Sequence, residues 1–435
     1  MSARLMRLVP LAGLLVCLLL TVFYLYRGSI GSPSEPGLRA PIQQNIDGLA
    51  HLSNTHHQVS SASTPDGKYF HIDFGEHDGF NPSIIPHPVW ADRWYITAQL
   101  ARNRSETEAL SVWSAELVCI AAFVDEGRTL RCIEPALILP LAATATDPTR
   151  CDGELELMSV SLGPHDARIF YGPDRPYAVY GSNSQHTCFG QWAVDFRVLV
   201  DWPGEELLRT PAYRHPVELQ RPLLPGYAPI EKNWFLFWDV HGSAYVHYDL
   251  VPTRAFSQLL SIADGSVGPD LAVHAAPVDG PCLQRYLPAL TDPRQESIHQ
   301  ATNSLAVTLC ERADPRCQPD EENTFVFMVF QHKQFVNFHS VYEPYVMLFR
   351  QREPFEVFGV STHPIWIPGR EASHATGQQS EMLYVTSLTW KQAGQRYHGF
   401  IDDVVFLAFG REDAHSGGID VVARDLLDGL GYCVG

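Results

Sequence analysis

The 435-residue sequence lacks the short motifs that mark many nucleotide-dependent and metal-dependent enzymes. It contains no G-x-S-x-G elbow, no phosphate-binding loop, no G-x-G-x-x-G and no H-E-x-x-H. A D-x-D run, with which many sugar-nucleotide transferases hold a metal ion, is also missing. These absences lower the odds of a metal-dependent sugar-nucleotide transferase, and we predict neither a metal site nor a cofactor.

Basic residues are scarce. The chain has 31 Lys and Arg against 49 Asp and Glu, which gives a net charge of −18. Binding to nucleic acid or to anionic lipid needs clustered Lys and Arg, and no basic run occurs beyond the N-terminus. Nucleic acid is therefore not predicted as a partner.

The cysteines follow no C-x-x-C pattern, which disfavours a zinc ribbon or a thioredoxin-type site. One of the nine, Cys17, lies in an apolar N-terminal segment, and the other eight are an even set that fits disulfides in an oxidising compartment. Two local pairs are predicted: Cys119–Cys132 across a turn, and Cys310–Cys317 closing a polar loop. The alternative is that some of these thiols are buried and unpaired.

Residues 8–26 form an uncharged, mostly apolar run. As a helix, a run of this length rises roughly 28 Å, close to the hydrocarbon thickness of a bilayer. Arg4 and Arg7 precede it and Arg27 follows, which favours a cytosolic N-terminus. We predict a cytosolic segment 1–7, a signal-anchor helix 8–26 and a single-pass type II membrane protein of the secretory pathway, most plausibly the Golgi. The alternative is a cleaved signal peptide.

Residues 27–68 are rich in Ser, Pro, Gly, His and Gln and predict a flexible stem. The folded lumenal or extracellular domain is predicted to extend from residue 69 to residue 435. The sequon Asn103-Arg104-Ser105 lies in a polar stretch and predicts a glycoprotein.

The sequence pattern of this domain is typical of β-strands. Short runs of Val, Ile, Phe, Tyr and Trp recur between Gly, Pro, Asp and Asn, and several alternate with period two. Long amphipathic helical patterns are nearly absent, and the best short one covers Ile419–Leu430. A single sandwich or barrel rarely fills a domain of this length, whereas five propeller blades would take about 73 residues each. We therefore predict an all-β, five-bladed β-propeller.

Polar clusters stand at the ends of the apolar runs. They cover residues 79–88, 163–172, 231–239, 298–305 and 397–413. In a propeller, strand ends and loops of successive blades converge on one central pocket. Amides and charged groups that bind hydroxyls, with aromatic faces for C–H surfaces, suit sugar recognition there.

The order N-P-S-I, D-A-R-I-F, E-K-N-W and H-G-F-I-D-D resembles that of the five-bladed β-propeller glycosidases. It is closest in texture to the mannoside phosphorylases and related β-mannosyltransferases, and it also resembles fungal membrane-anchored relatives of that superfamily. The resemblance extends from Asn81 to Asp413. It implies a catalytic domain that acts on glycosidic bonds.

In the phosphorylase group a D-P-R-type motif carries the general-acid aspartate. The resemblance implies that Asp166 is this acid, with Ala167 in place of the proline and Arg168 orienting the acid or holding an anionic group. Literal D-P-R strings at Asp292 and Asp314 lie in polar stretches without a following apolar strand, so Asp166 is preferred. The plain alternative is a structural ion pair between Asp166 and Arg168.

A second carboxylate, Asp402 or Glu231, is predicted to act as base or to stabilise charge. The remaining predicted substrate-binding residues are Asn81, Lys232, Asn233, Trp234, His299, Asn303 and His398. Each also has a structural explanation, as a turn residue, a cap or a buried side chain.

The sequence thus predicts a membrane-anchored enzyme that makes or cleaves a glycosidic bond, most plausibly on a mannose-containing glycan. Two other functions stay open. One is a glycan-binding propeller without catalysis, and the other is a scaffold that binds protein through an exposed apolar patch.

Overall fold

The computed structural model describes residues 55–101, 112–144, 147–203, 215–224, 226–372 and 379–433. The predicted anchor 8–26, the stem up to residue 54 and the sequon at Asn103 lie outside these ranges. Within them, no helix is long and apolar enough to cross a membrane. Strands dominate and helices are few, so the all-β class is confirmed.

The strands are numbered here in chain order. They are β1 (His57–Gln58), β2 (Phe70–Asp73), β3 (Gly79–Pro86), β4 (Trp94–Leu100), β5 (Val112–Trp113), β6 (Glu116–Val124), β7 (Thr129–Cys132), β8 (Leu137–Ile138), β9 (Ser161–Leu162), β10 (His165–Tyr171), β11 (Pro176–Asn183), β12 (Phe189–Asp195), β13 (Val217–Glu218), β14 (Phe235–Trp238), β15 (Ala244–Asp249), β16 (Ala255–Gln258), β17 (Glu296–Gln300), β18 (Leu305–Thr308), β19 (Thr324–Val336), β20 (His339–Arg350), β21 (Val357–Ser361), β22 (Ile365–Trp366), β23 (Leu383–Trp390), β24 (His398–Phe400), β25 (Val404–Arg411), β26 (His415–Val422) and β27 (Leu430–Tyr432). The helices are α1 (Glu156–Ser159), α2 (Ala272–Tyr286) and α3 (Ala423–Leu426).

Most strands pair antiparallel with their neighbours in the chain. The larger sheets have the orders β10-β11-β12-β13, β14-β15-β16, β24-β18-β19-β20-β21-β27 and β23-β25-β26-β2-β7-β6-β4-β3. In the last of these, β2 pairs with β26 on one side and with β7 on the other. A strand near the beginning of the described chain, β2, and one near its end, β26, are therefore held in one sheet.

Polar side chains on or next to the first strands of successive groups join β3 to β10, β18 to β14 and to β23, and β23 to β3. Each of these side chains donates a hydrogen bond to a backbone carbonyl of another first strand: Ser83 to Ile169, Ser304 to Leu236, Asn303 to Leu388 and Thr386 to Pro82. Apolar side chains of the same strands pack into the core, among them Leu236, Val307 and Val385. Polar hydrogen bonds and apolar packing therefore both hold these strands together.

Two helical features differ from the sequence prediction. Over Ile419–Leu430 the structure has the end of β26, up to Val422, followed only by the short helix α3. The reason is that residues 416–421 are buried and pair in register with β25, so the ladder overrides the helical pattern. The longest described helix, α2, was not predicted, because Pro277 and Pro281 interrupt its pattern.

Both local disulfide predictions are confirmed, since Cys119 bonds to Cys132 and Cys310 bonds to Cys317. Two further pairs, which the sequence left open, are Cys151–Cys188 and Cys282–Cys433. The last pair joins helix α2 to the end of the described chain across a separation of 151 residues.

The residues just before position 69 contact the domain. β1 (His57–Gln58) pairs in parallel with β22 (Ile365–Trp366), and the hydroxyl of Ser61 donates to the buried carboxylate of Asp420. Ordered contacts of the folded domain therefore begin before residue 69.

Candidate active site

Asp166 and Asn81 lie near the beginnings of two central strands, β10 and β3. Each lies where a bulge interrupts the pairing, and each has a left-handed backbone, with φ of 52° and 54° respectively. Asp and Asn tolerate this conformation better than most side chains, and a bulge redirects a side chain out of the regular alternation. The two bulges bring these side chains together.

The carboxylate of Asp166 is held on one side only. Nδ2 of Asn81 donates to Oδ1 of Asp166 at 2.8 Å, and the backbone N–H of Asp166 donates to Oε1 of Gln99 at 3.1 Å. Within the part of the chain that the structure describes, no hydrogen bond reaches Oδ2 of Asp166. One carboxyl oxygen is thus fixed while the other is available to a reactant.

Glu116 lies behind Asp166 and is fully buried. Its Oε1 accepts the backbone N–H of Ala167 at 3.2 Å. Burial raises the pKa of Glu116 well above its usual range, and the charge of Asp166 raises it further. Burial behind Asp166 therefore favours the protonated form of Glu116, whose Oε1 supports the bulge.

Two tyrosines lie close enough to Asp166 to feel its charge, and the group of residues around Asp166 is called the pocket below. The rings of Tyr342 and Tyr384 lie 4.8 Å apart between centroids. Burial raises the pKa of Tyr384, with Asp166 adding to the effect, and burial together with Asp413 raises the pKa of Tyr342 to about 12. Both phenols are therefore protonated hydrogen-bond donors, and the side chain of Asn233 is a hydrogen-bonding neighbour of Tyr384.

Asp413 supplies a second carboxyl group. It lies in the turn between β25 and β26 with a left-handed φ of 48°. Loss of hydration, and then the charges of Asp166 and Glu412, raise the pKa of Asp413, while lysines oppose them. This electrostatic coupling shows that Asp413 is close enough to Asp166 for the two carboxyls to influence each other.

The pocket also contains two positive groups, Lys232 and Lys333, beside the ring of His299. Burial and then the two lysines lower the pKa of His299 to about 4. Burial and then Lys232 lower the pKa of Lys333. Across the described ranges, neither lysine has a carboxylate within ion-pair distance. This concentration of positive charge in an acidic protein can bind an anion.

Arg168 is buried beneath the pocket. Its guanidinium donates to Oε1 of Gln191 at 3.0 Å and to the carbonyl oxygen of Ala301 at 3.1 Å. Burial lowers the pKa of Arg168, and the charge of Asp166 opposes that shift. The direct bonds of Arg168 are thus to the neighbouring strands, and Asp166 is free of a direct ion pair with it.

Three predicted residues belong to the framework. Oε1 of Glu231 accepts a hydrogen bond from the guanidinium of Arg221 at 2.7 Å, and its Oε2 accepts one from the indole N–H of Trp234 at 3.2 Å. The ring of Trp234 is only 1% exposed, so it offers no stacking face to a sugar. The amide of Asn303 is buried and bonds to both backbone groups of Leu388.

His398 and Asp402 lie at the other end of the central strands. His398 contacts the hydroxyl of Thr308 at the end of β18 and lines a cleft of about 1030 Å³. Pro173 and Asp239, which follow β10 and β14, line the same cleft. Asp402 accepts the backbone N–H of Arg312 at 2.8 Å. Because Asp166 begins β10, the length of that strand puts this cleft about 20 Å from it.

Sequence reasoning did not single out five residues of the pocket: Glu116, Lys333, Tyr342, Tyr384 and Asp413. Two of them could have been found from the sequence. Asp413 is the last residue of the polar cluster 397–413, and Glu116 is a charged residue at the start of an apolar strand. Lys333 and Tyr342 meet only because they are register partners on β19 and β20.

Metal ligation has no support in the described ranges. There, no group of three or more His, Cys, Asp or Glu side chains is arranged to hold a metal ion.

No protein-family model matches the chain, and no curated protein matches it. Among solved structures, it is similar to a β-1,2-mannobiose phosphorylase from Listeria innocua, with a TM-score of 0.41, 10% identity, and coverage of 85% of this chain and 95% of that one. A mannose phosphorylase from Leishmania mexicana gives a TM-score of 0.41, 9% identity, and coverage of 87% and 92%. A thermostable family-43 glycoside hydrolase gives a TM-score of 0.36 and 10% identity, with coverage of 83% of this chain and 94% of that one. At these identities and TM-scores, the comparisons assign no role to any residue of this chain.

Proposed function

We propose that this chain is a carbohydrate-active enzyme that makes or cleaves a glycosidic bond, with Asp166 as the proton donor. The observation that carries the proposal is the one-sided binding of Asp166. Asn81 fixes Oδ1, and Oδ2 is left without a protein partner among the described residues. In cleavage, a proton passes from this carboxyl to the bridging oxygen, directly or through a substrate hydroxyl, as the bond from that oxygen to the anomeric carbon breaks.

Asp413 is the second carboxyl in this proposal, in the role for which the sequence predicted Asp402 or Glu231. Glu231 is bonded to Arg221 in the framework, and Asp402 lies at the far end of the strands. Asp413 is coupled electrostatically to Asp166 and to Lys333. It would accept a substrate hydroxyl or stabilise the charge of the transition state.

Lys232, Lys333 and the neutral His299 support an anionic reactant. Inorganic phosphate bound there would attack the anomeric carbon with one oxygen while Asp166 protonates the departing oxygen, which gives a sugar phosphate and a shortened glycan. A phosphate or carboxylate carried by the glycan itself would satisfy the same charges. Activity with and without phosphate separates phosphorolysis from hydrolysis.

A five-bladed propeller and a mannose-containing substrate complete this proposal. The hydrogen bonds that join β3 to β10, β18 to β14 and β23 to β3 are those expected if each of these strands is the innermost strand of one blade. The mannose assignment rests on the motif order between Asn81 and Asp413, and the fungal affiliation rests on the same resemblance.

Localisation is part of the proposal. Residues 8–26 would anchor the chain as a type II protein with the domain in the lumen, and the disulfides fit that oxidising compartment. Resistance of the full chain to alkaline extraction, with a glycan at Asn103, is the expected result. Extraction into the soluble fraction would favour a cleaved signal peptide.

The test compares the full chain with Asp166→Asn on manno-oligosaccharides, with and without phosphate. Asp314→Asn is the matched control, because Asp314 is a D-P-R aspartate bonded to Arg316 in an exposed loop. We expect Asp166→Asn to lower kcat by about 100-fold or more while glycan binding persists. Asp314→Asn should behave as wild type.

Other outcomes would replace the proposal. Binding of glycans by the wild type without turnover under any condition would favour a lectin-like propeller. Absence of both binding and turnover would favour a protein scaffold. Equal activity of wild type and Asp166→Asn would remove Asp166 from the chemistry.

A further inference from the structure

The hairpin of β19 and β20 ends in an aromatic tip that the fold does not use. Phe338 is 96% exposed and Phe335 is 42% exposed, with their ring centroids 6.4 Å apart. The strands are joined by the two-residue turn Asn337–Phe338, in which φ is 55° and 62°. Glycine is usual in the second position of such a turn, and a bulky side chain with positive φ is strained. An exposed aromatic kept in a strained position points to a role outside folding.

One face of the hairpin leads from the pocket to this tip. Lys333 pairs directly with Tyr342 across the two strands, and Phe335 lies two residues beyond Lys333 on the same face. Nζ of Lys333 lies 5.5 Å from the ring centroid of Tyr342 and 5.9 Å from that of Phe335. The pocket tyrosine, the lysine and the tip aromatic therefore form a continuous row.

The hairpin is also tied to the turn that carries Asp413. His339, which follows Phe338, places Nε2 3.2 Å from the carbonyl oxygen of Ser380 and Nδ1 3.7 Å from Oε2 of Glu412. Glu412 directly precedes Asp413 in the chain. These contacts fix the tip beside the pocket.

We propose that Phe335 and Phe338 stack on sugar rings of a glycan chain that extends out of the pocket. The substrate class is therefore an oligosaccharide longer than a disaccharide. The inference rests on the proposed function, because it assumes that a sugar occupies the pocket. Tyr342 lies three residues beyond His339 along β20, a rise of about 10 Å, which is more than one sugar ring occupies.

A glycan fits this surface better than a protein does. Aromatic rings receive the apolar C–H face of a sugar, while the neighbouring Lys333 and the exposed Gln334 can bind its hydroxyls. Two aromatic rings on a narrow hairpin offer far less area than a stable protein interface buries.

The test measures binding to the inactive full chain, Asp166→Asn, with mannobiose and with longer manno-oligosaccharides up to the hexasaccharide. Phe338→Gly is placed in that background, since glycine suits the left-handed turn and should not lower the melting temperature. Phe338→Trp keeps an aromatic ring. Leu260→Gly is the control, because Leu260 is 63% exposed and lies outside the hairpin.

We expect Phe338→Gly to weaken binding of the longer oligosaccharides about three- to tenfold and to leave mannobiose unchanged. Phe338→Trp and Leu260→Gly should keep the parent affinities. Equal affinity of the parent and Phe338→Gly for every chain length would overturn the inference and leave the proposed function intact. A change in sedimentation or in binding to phosphatidylcholine vesicles with unaltered glycan affinity would also overturn it.

The proposed function can fail in two ways: glycans bind without turnover, which leaves this inference intact, or no sugar binds at all. In the second case neither the parent nor any variant binds a sugar of any length, so the signal itself is missing and not merely its length dependence. The inference would then fall together with the function on which it rests.

Discussion

Asn81 donates its side-chain amide to Asp166 across two strands, with Nδ2 2.8 Å from Oδ1, and both residues have left-handed backbones. Gly410 of β25 lies directly against Oδ1 of Asn81, so close that a Cβ at position 410 would collide with this oxygen. The missing side chain of Gly410 therefore leaves the space in which Asn81 holds Asp166.

Gly410→Ala should push Asn81 away from Asp166 and lower kcat by up to about 100-fold, because a small displacement of a catalytic group is costly. Steady-state kinetics on the folded variant checks this. Gly280→Ala is the control, since a Cβ at position 280 meets no atom within 4 Å. If Asn81 carries the effect, Gly410→Ala added to Asn81→Ala should cost little more.

Glu116→Gln should change how stability depends on pH. Glu116 stays protonated in the folded protein at pH values where the unfolded chain, with a pKa near 4.5, has already lost the proton. The folded state then binds more protons than the unfolded state, so the free energy of unfolding of the wild type falls as pH rises above about 4.5.

Relative to Glu116→Gln, this loss should approach about 1.4 kcal/mol per pH unit until the folded carboxyl ionises. Denaturant unfolding of both proteins at several pH values measures it. Exposed Glu154, changed to Gln, should give a curve parallel to the wild type. A parallel curve for Glu116→Gln as well would mean that Glu116 is ionised in the fold.

Phosphate should raise the pKa of His299 from about 4, because a bound anion neutralises the field of Lys232 and Lys333. Titration of the His299 ring signals by NMR, with and without phosphate, checks this. Lys333→Met should raise the same pKa without any anion. An unchanged His299 titration at saturating phosphate would show that the anion does not bind at these groups.

Glu231→Gln should destabilise the protein by about 3 kcal/mol, since it leaves Arg221 buried with only Asp249 as a charged partner. The kcat of the folded fraction should stay near that of the wild type. Unfolding and kinetics on the same preparation separate the two effects. A large loss of kcat in a variant of unchanged stability would return Glu231 to the catalytic residues.

Much of the fold followed from local pattern. Alternating apolar runs identified most of the longer strands, and short separation in the chain was enough for Cys119–Cys132 and Cys310–Cys317. Cys282–Cys433 could not be found in this way, because its partners are 151 residues apart and meet only in the finished fold.

The residues of the candidate site also differ in whether local sequence pattern was enough to identify them. The sequence alone identifies four polar residues near strand ends that the structure brings into one pocket: Asp166, Asn81, Lys232 and His299. The sequence identifies Glu231 and Asp402 in the same way. In the structure, however, Glu231 is bonded to Arg221, and Asp402 lies at the opposite end of the strands. Sequence pattern marks a strand end but does not say which end faces the pocket.

The sequence by itself determined the β class, the cysteine bonds of short separation and the polar strand ends, because each depends on neighbours in the chain. Only the tertiary structure decided that Asp413 accompanies Asp166, that Glu116 is buried behind it with a raised pKa, and that Lys333 and Tyr342 lead to the tip at Phe338. These relationships depend on register, bulges and burial, which bring together residues far apart in the chain.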